Sequence, residues 1–90
     1  MRTVEVKRLD FVPHQATGLH QHPCPLMGYV VKGSIVLQVE GTEPRTLHEG
    51  DAFYEPPHKK ILKFDSEDAP AEFVAYYLLG AGERELIQML

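Results

Sequence analysis

Glycine and proline recur so often along this chain that no helix of ordinary length fits before its last ten residues. The seven glycines and seven prolines fall at Pro13, Gly18, Pro23, Pro25, Gly28, Gly33, Gly41, Pro44, Gly50, Pro56, Pro57, Pro70, Gly80 and Gly82. In a helix interior glycine costs about 1 kcal/mol and proline about 3 kcal/mol relative to alanine, so the intervals favour short strands. The intervening runs are rich in Val, Ile, Tyr and Phe. In Thr3–Arg8, Val4 and Val6 are offset from Thr3, Glu5 and Lys7; in Ser34–Glu40, Ile35, Leu37 and Val39 share one face. Glu72–Leu79 is apolar on both faces, as a central strand requires. Lys32-Gly33 reads as a tight turn between strands, and Glu40-Gly41-Thr42 opens a longer hairpin loop. The expectation is an all-β sandwich or barrel. Only Glu83–Leu90 has helical spacing, through Leu86, Ile87 and Leu90, and a short closing helix is expected there, with a last strand as the alternative.

At 90 residues and 10.2 kDa the chain is expected to form one domain, spanning 1–90. With 43% hydrophobic and 24% charged residues it is not a disordered chain. Its longest apolar stretch, Phe73–Leu79, is far shorter than the roughly 20 residues of a membrane helix. The opening MRTVEVKRLD carries charges where a signal peptide has an apolar run, so a cytoplasmic protein without a membrane partner is expected. One cysteine rules out an internal disulfide framework. A net charge of −4 and a pI near 5.7 argue against nucleic acid, which demands a basic surface. The local cluster Lys59, Lys60 and Lys63 reads as a solvated edge. A chain this short buries only about 60–65% of its unfolded surface. A homodimer is therefore expected, with Thr3–Arg8 adding to a partner's edge.

Histidine carries the chemistry. His20 and His22 form His-x-His in a strand expected after Gly18, and alternate strand residues point to the same side. Two imidazoles so placed suit neighbouring positions on a divalent transition metal such as Zn, Ni, Mn or Fe. No nucleophile–base pairing, P-loop or dinucleotide fingerprint is present. Tyr29, Phe53, Tyr54, Phe64, Phe73, Tyr76 and Tyr77 lie on the expected strands, and about half of them must face inward, as core or as the wall of a small-molecule pocket.

The stretch Gly18–Gly33, GLHQHPCPLMGYVVKG, resembles the first motif of the cupin superfamily, and Gly50–Pro57, GDAFYEPP, resembles the opening of the second. The motifs stand in the family's order, with a hairpin of the usual length between them. This resemblance implies a small double-sheet antiparallel β-barrel of jelly-roll type with a site in its mouth. The expected function is binding of a divalent metal, a small molecule or both in the barrel through His20 and His22; metal-assisted oxygenation or isomerisation of a small molecule, and a metal-free ligand-binding or regulatory dimer, are the alternatives. Two of the family's four metal ligands are missing: Leu26 stands at the glutamate position and Ile61 at the second-motif histidine. The first-motif glycine is His14, and His58 and Asp65 replace a glycine and an asparagine of the second. The expected metal ligands are His20 and His22, with His58 as first choice for a third because it lies in the loop where the family's third histidine arises. Cys24, in phase with the pair, and Glu55, at a strand end, are the other candidates. His14 and His48 read as structural or solvent-facing.

Overall fold

The computed structural model describes residues 2–82 and 84–90, which form nine strands and no helix. In chain order the strands are β1 (Thr3–Phe11), β2 (His20–Gln21), β3 (Leu26–Lys32), β4 (Ile35–Val39), β5 (Arg45–Leu47), β6 (Ala52–Glu55), β7 (Ile61–Ser66), β8 (Ala71–Leu79) and β9 (Gln88–Met89). They build a four-stranded sheet, β1-β8-β3-β6, and a five-stranded sheet, β5-β4-β7-β2-β9, antiparallel throughout. Among the described residues no helix is long and apolar enough to cross a membrane.

The expected alternations place the core. Ile35 and Leu37 on β4 are buried, and β8 lies between β1 and β3 with Ala71, Phe73, Val74, Ala75, Tyr77 and Leu79 buried. Phe11, Phe53, Phe64 and Phe73 meet mainly edge to face, with centroids 4.9–6.4 Å apart. This geometry suits the aromatic quadrupole. Gly33 lies between β3 and β4, where the chain passes from one sheet to the other, at φ +75°. A Cβ there would stand 2.4 Å from the Pro70 carbonyl oxygen, so the crossing admits only glycine.

β1 pairs with β8 over its full length, from Thr3↔Leu79 to Phe11↔Ala71. Its odd positions face the barrel interior, where Lys7, Leu9 and Phe11 line a cavity. Val4 and Val6 therefore project outward and are 44% and 55% exposed. The apolar side of this strand's first half is thus its outer side.

The closing helix is not formed. Glu83 lies outside the described residues, Arg84–Ile87 has no regular structure, and Gln88–Met89 is a strand paired with β2 through His20↔Met89 and Gln21↔Gln88. Two demands favour extended chain over the helix that spacing alone suggested. The exposed edge of β2 needs a partner. The Leu86 carbonyl, which a helix would bond to the Leu90 N–H, is instead 2.7 Å from the His22 ring, and Leu90 N–H donates to Leu19 at 3.1 Å.

A candidate metal centre between the sheets

His20 opens β2, facing Ile61 on one side and Met89 on the other; His22 follows two residues later on the same side. Both are buried, at 2% and 3% exposure, with ring centroids 5.0 Å apart. Each ring is anchored through Nδ1. His20 Nδ1–H donates to the Gly18 carbonyl and His22 Nδ1–H to the Leu86 carbonyl, both at 2.7 Å. A carbonyl only accepts, so Nδ1 carries the hydrogen. The neutral rings thus turn bare Nε2 lone pairs inward.

What they face is Glu55, 1% exposed at the end of β6. Its Oε1 is 2.9 Å from His22 Nε2 and 3.7 Å from His20 Nε2. Ligand atoms of His20, His22 and Glu55 all lie within 4.8 Å of one another. Two lone pairs directed at a buried carboxylate repel unless a cation, either a proton or a metal ion, lies among them. The protonation energetics reflect this. Burial works against a charged His20, but the Glu55 carboxylate and the Gly18 carbonyl together outweigh it and raise its pKa. Burial likewise opposes ionised Glu55, and its pairing with the two imidazoles overcomes that and lowers its pKa.

Glu55 was the last of the three sequence candidates, yet it alone joins the histidine pair. The reason is sheet register. Leu26 on β3, which occupies the motif's glutamate position, pairs directly with Glu55 on β6. Paired residues on neighbouring strands project to the same side about 5 Å apart. A carboxylate absent from one strand is thus supplied by the next at the same level. A local signal existed: Glu55 is in phase with Phe53, and both are buried.

The side chain of His58 is not brought to the group. It is exposed at φ +62°, and its backbone N–H donates to the His22 carbonyl at 2.9 Å. Cys24 is fully buried in the core and also lies outside the group. His14 is exposed, 3.2 Å from Asp68, and His48 is exposed before the Gly50 turn. Tyr77 stacks edge-on near His22, and burial, reinforced by the Glu55 charge, pushes its phenol up to about 12, so it stays protonated.

The group opens into a cavity of about 280 Å³, near the lower end of small-molecule sites. Phe11, Phe53, Phe64 and Phe73 line it together with the polar group.

Comparison with solved structures finds the same architecture. The DMSP lyase DddQ from Ruegeria pomeroyi DSS-3 superposes with a TM-score of 0.84 at 17% identity, covering 99% of this chain and 44% of that one. Oxalate decarboxylase from Bacillus subtilis gives 0.84 at 19% identity, over 97% of this chain and 24% of that one. A cupin-like protein from Thermotoga maritima gives 0.79 at 21% identity, over 97% and 64%. The chain thus spans under half of the lyase and about a quarter of the decarboxylase. No curated protein matches it in sequence. Residues 7–77 match the Cupin domain family, and with that match over most of its length, carried on two antiparallel sheets around an inward histidine pair, the chain belongs to the cupins.

Proposed function

We propose that this cupin holds a divalent transition metal through His20, His22 and Glu55 and presents it to a small molecule in the adjoining cavity. The observation that carries this reading is the double anchoring of the imidazoles. Both Nδ1–H groups are committed to backbone carbonyls, the outer hydrogen bond that fixes tautomer and orientation in histidine metal sites. Both Nε2 atoms are left to converge on one carboxylate. Glu55, not His58, completes the set in this reading. Two imidazoles and one carboxylate form the donor set of many mononuclear non-haem sites with open positions, and zinc, nickel or manganese also accept it. A metal bound there would supply Lewis-acid polarisation of a ligand oxygen. The chain's own part is to exclude water with the phenylalanine wall, to hold the donors rigid through Gly18 and Leu86, and to keep a protonated phenol at Tyr77. Oxygenation or isomerisation of a small molecule is the activity class that the family suggests. Calorimetric titration of chelator-treated protein with Zn(II), Ni(II), Mn(II) and Fe(II) tests the site. One equivalent should bind to the wild type and none to a His20→Ala, His22→Ala double variant. An unmetallated wild type at millimolar metal would refute it.

The working form is proposed to be a homodimer, and the single cysteine of the sequence is in keeping with a cytoplasmic setting. The outer side of the four-stranded sheet supports pairing of two copies. Val4, Val6, Met27, Tyr29 and Tyr54 are all at least 40% exposed there. Register makes them contiguous: Val6, Tyr76, Met27 and Tyr54 form one row across all four strands. Four strands at about 4.8 Å spacing, nine residues long at the widest, present several hundred Å², comparable to one side of a standard interface. Exposed patches of this composition mark association surfaces.

A further inference from the structure

The lining of the cavity beside the metal group is mostly apolar, with the Thr17 hydroxyl, bonded to the Phe64 carbonyl, and the Tyr77 phenol as its neutral polar groups, and ionisable groups stand at two places. One is the His20, His22 and Glu55 cluster; the other is Lys7, which reaches it from β1. Lys7 pairs with Ala75, which pairs with Gly28, which pairs with Phe53. Along this row only Ala75 and Gly28 stand between Lys7 and Phe53, and Lys7, Ala75 and Phe53 line the same cavity. Lys7 is 45% exposed and Ile87 40% exposed, so this is the mouth of the cavity.

The charges around this space do not balance. Glu55 is the only carboxylate lining it among the described residues. Two neutral imidazoles, one carboxylate and a divalent ion leave one positive charge; the same cluster holding a single proton in place of the metal is neutral. Lys7 adds a positive charge in either state. Its nearest acid is Glu5, 3.9 Å away and equally exposed, and solvent screens such a pair to little effect. A ligand that fills the cavity strips water from Lys7. A neutral ligand would leave the ammonium poorly satisfied, whereas an acidic group would form a charge-assisted hydrogen bond with it. An apolar body would lie against Phe11, Phe53, Phe64 and Phe73.

We propose that this cavity binds a small organic anion, its acidic group paired with Lys7 at the mouth and its apolar body against the phenylalanine wall. The proposal rests on the small-molecule site described above, but its test does not require the metal. The probes are 3-phenylpropanoate and its neutral amide, 3-phenylpropanamide, titrated calorimetrically into the full chain, both chelator-treated and zinc-loaded. In the chelator-treated wild type the acid should bind at least tenfold more tightly than the amide. Lys7→Gln should abolish that preference, Lys7→Arg should keep it, and Glu5→Gln should leave it equal or larger. Circular dichroism would establish that each variant folds. Equal affinities for acid and amide, an undiminished preference in Lys7→Gln, a preference that appears only with zinc, or no binding of the acid at millimolar concentration would each overturn the proposal. Zinc uptake is read in its own titration, so failure of the metal site leaves the Lys7 comparison intact.

Discussion

Replacing Glu55 by glutamine should reverse the pH dependence of the metal-free protein's stability. In the wild type the carboxylate raises the pKa of His20. Above the unfolded histidine value near 6.5 the folded state then holds a proton that the unfolded state has released. Stability contributed by this proton is complete below that value and is lost as pH rises through the raised pKa. Glu55 contributes in the opposite sense: its pKa is lowered, so its share is present above the unfolded carboxylate value and lost as pH falls. Metal-free wild type should therefore be most stable between the two, at mildly acid pH. Glutamine has nearly the same shape but no charge. Its amide N–H can donate to the bare Nε2 of a neutral imidazole, so the buried ring keeps a partner. Without the carboxylate the Gly18 carbonyl is the main remaining support for a proton on His20, and burial, the largest opposing effect, should then lower its pKa. Stability of the variant should rise with pH through the same range. One proton's difference between folded and unfolded states corresponds to a slope of at most about 1.4 kcal/mol per pH unit. The curves should diverge by up to that amount per pH unit, about 3 kcal/mol in all between pH 6 and 8, at roughly 4–8 °C in Tm per kcal/mol for a domain of this size. Thermal unfolding by circular dichroism in chelator across that range measures it. Parallel curves for wild type and Glu55→Gln would refute the claim that the carboxylate holds the histidine proton.

Three further outcomes follow from particular contacts. Gly28→Ala should destabilise by about 3 kcal/mol or more, read by urea unfolding, because a Cβ there would stand 2.0 Å from the Val74 carbonyl oxygen and 2.9 Å from the Phe53 ring. His58→Gly should be neutral or stabilising by up to about 1 kcal/mol, since glycine adopts φ +62° without strain, and should leave metal affinity unchanged; a tenfold loss of affinity would bring the His58 ring into the site. Tyr54→Glu, at the centre of the exposed outer face of the four-stranded sheet, should convert dimer to monomer in light scattering while the circular dichroism spectrum stays that of the wild type. A wild type that is monomeric across micromolar concentrations would contradict the pairing.

The fold was legible because strand formation here is a local matter: breakers bound the runs, and alternation orients them. Ile35 and Leu37 are buried as their phase requires, and Glu72–Leu79 proved central within one residue of its bounds. The closing segment misled because Leu86, Ile87 and Leu90 carry helical spacing, while the competing demands come from residues 60 or more positions earlier in β2. The phase of Val4 and Val6 was visible, but not which side of β1 faces the barrel. The histidine pair could be found because both members lie within three residues, His20 on β2 and His22 just past its end in the same phase. Its carboxylate could not be assigned by reading along the motif, since Glu55 reaches Leu26's position across the sheet, by register. Nor could sequence show that the His58 backbone N–H donates to the His22 carbonyl while the residue itself is exposed.

The most direct test of the proposed metal centre is the nitrogen resonances of the histidine rings during zinc titration of chelator-treated, uniformly nitrogen-15-labelled protein. The anchored tautomers predict that one equivalent of zinc shifts Nε2 of His20 and of His22 while both Nδ1 atoms keep their hydrogens, with His14, His48 and His58 unmoved. Unchanged resonances for His20 and His22, or binding through Nδ1, would contradict it.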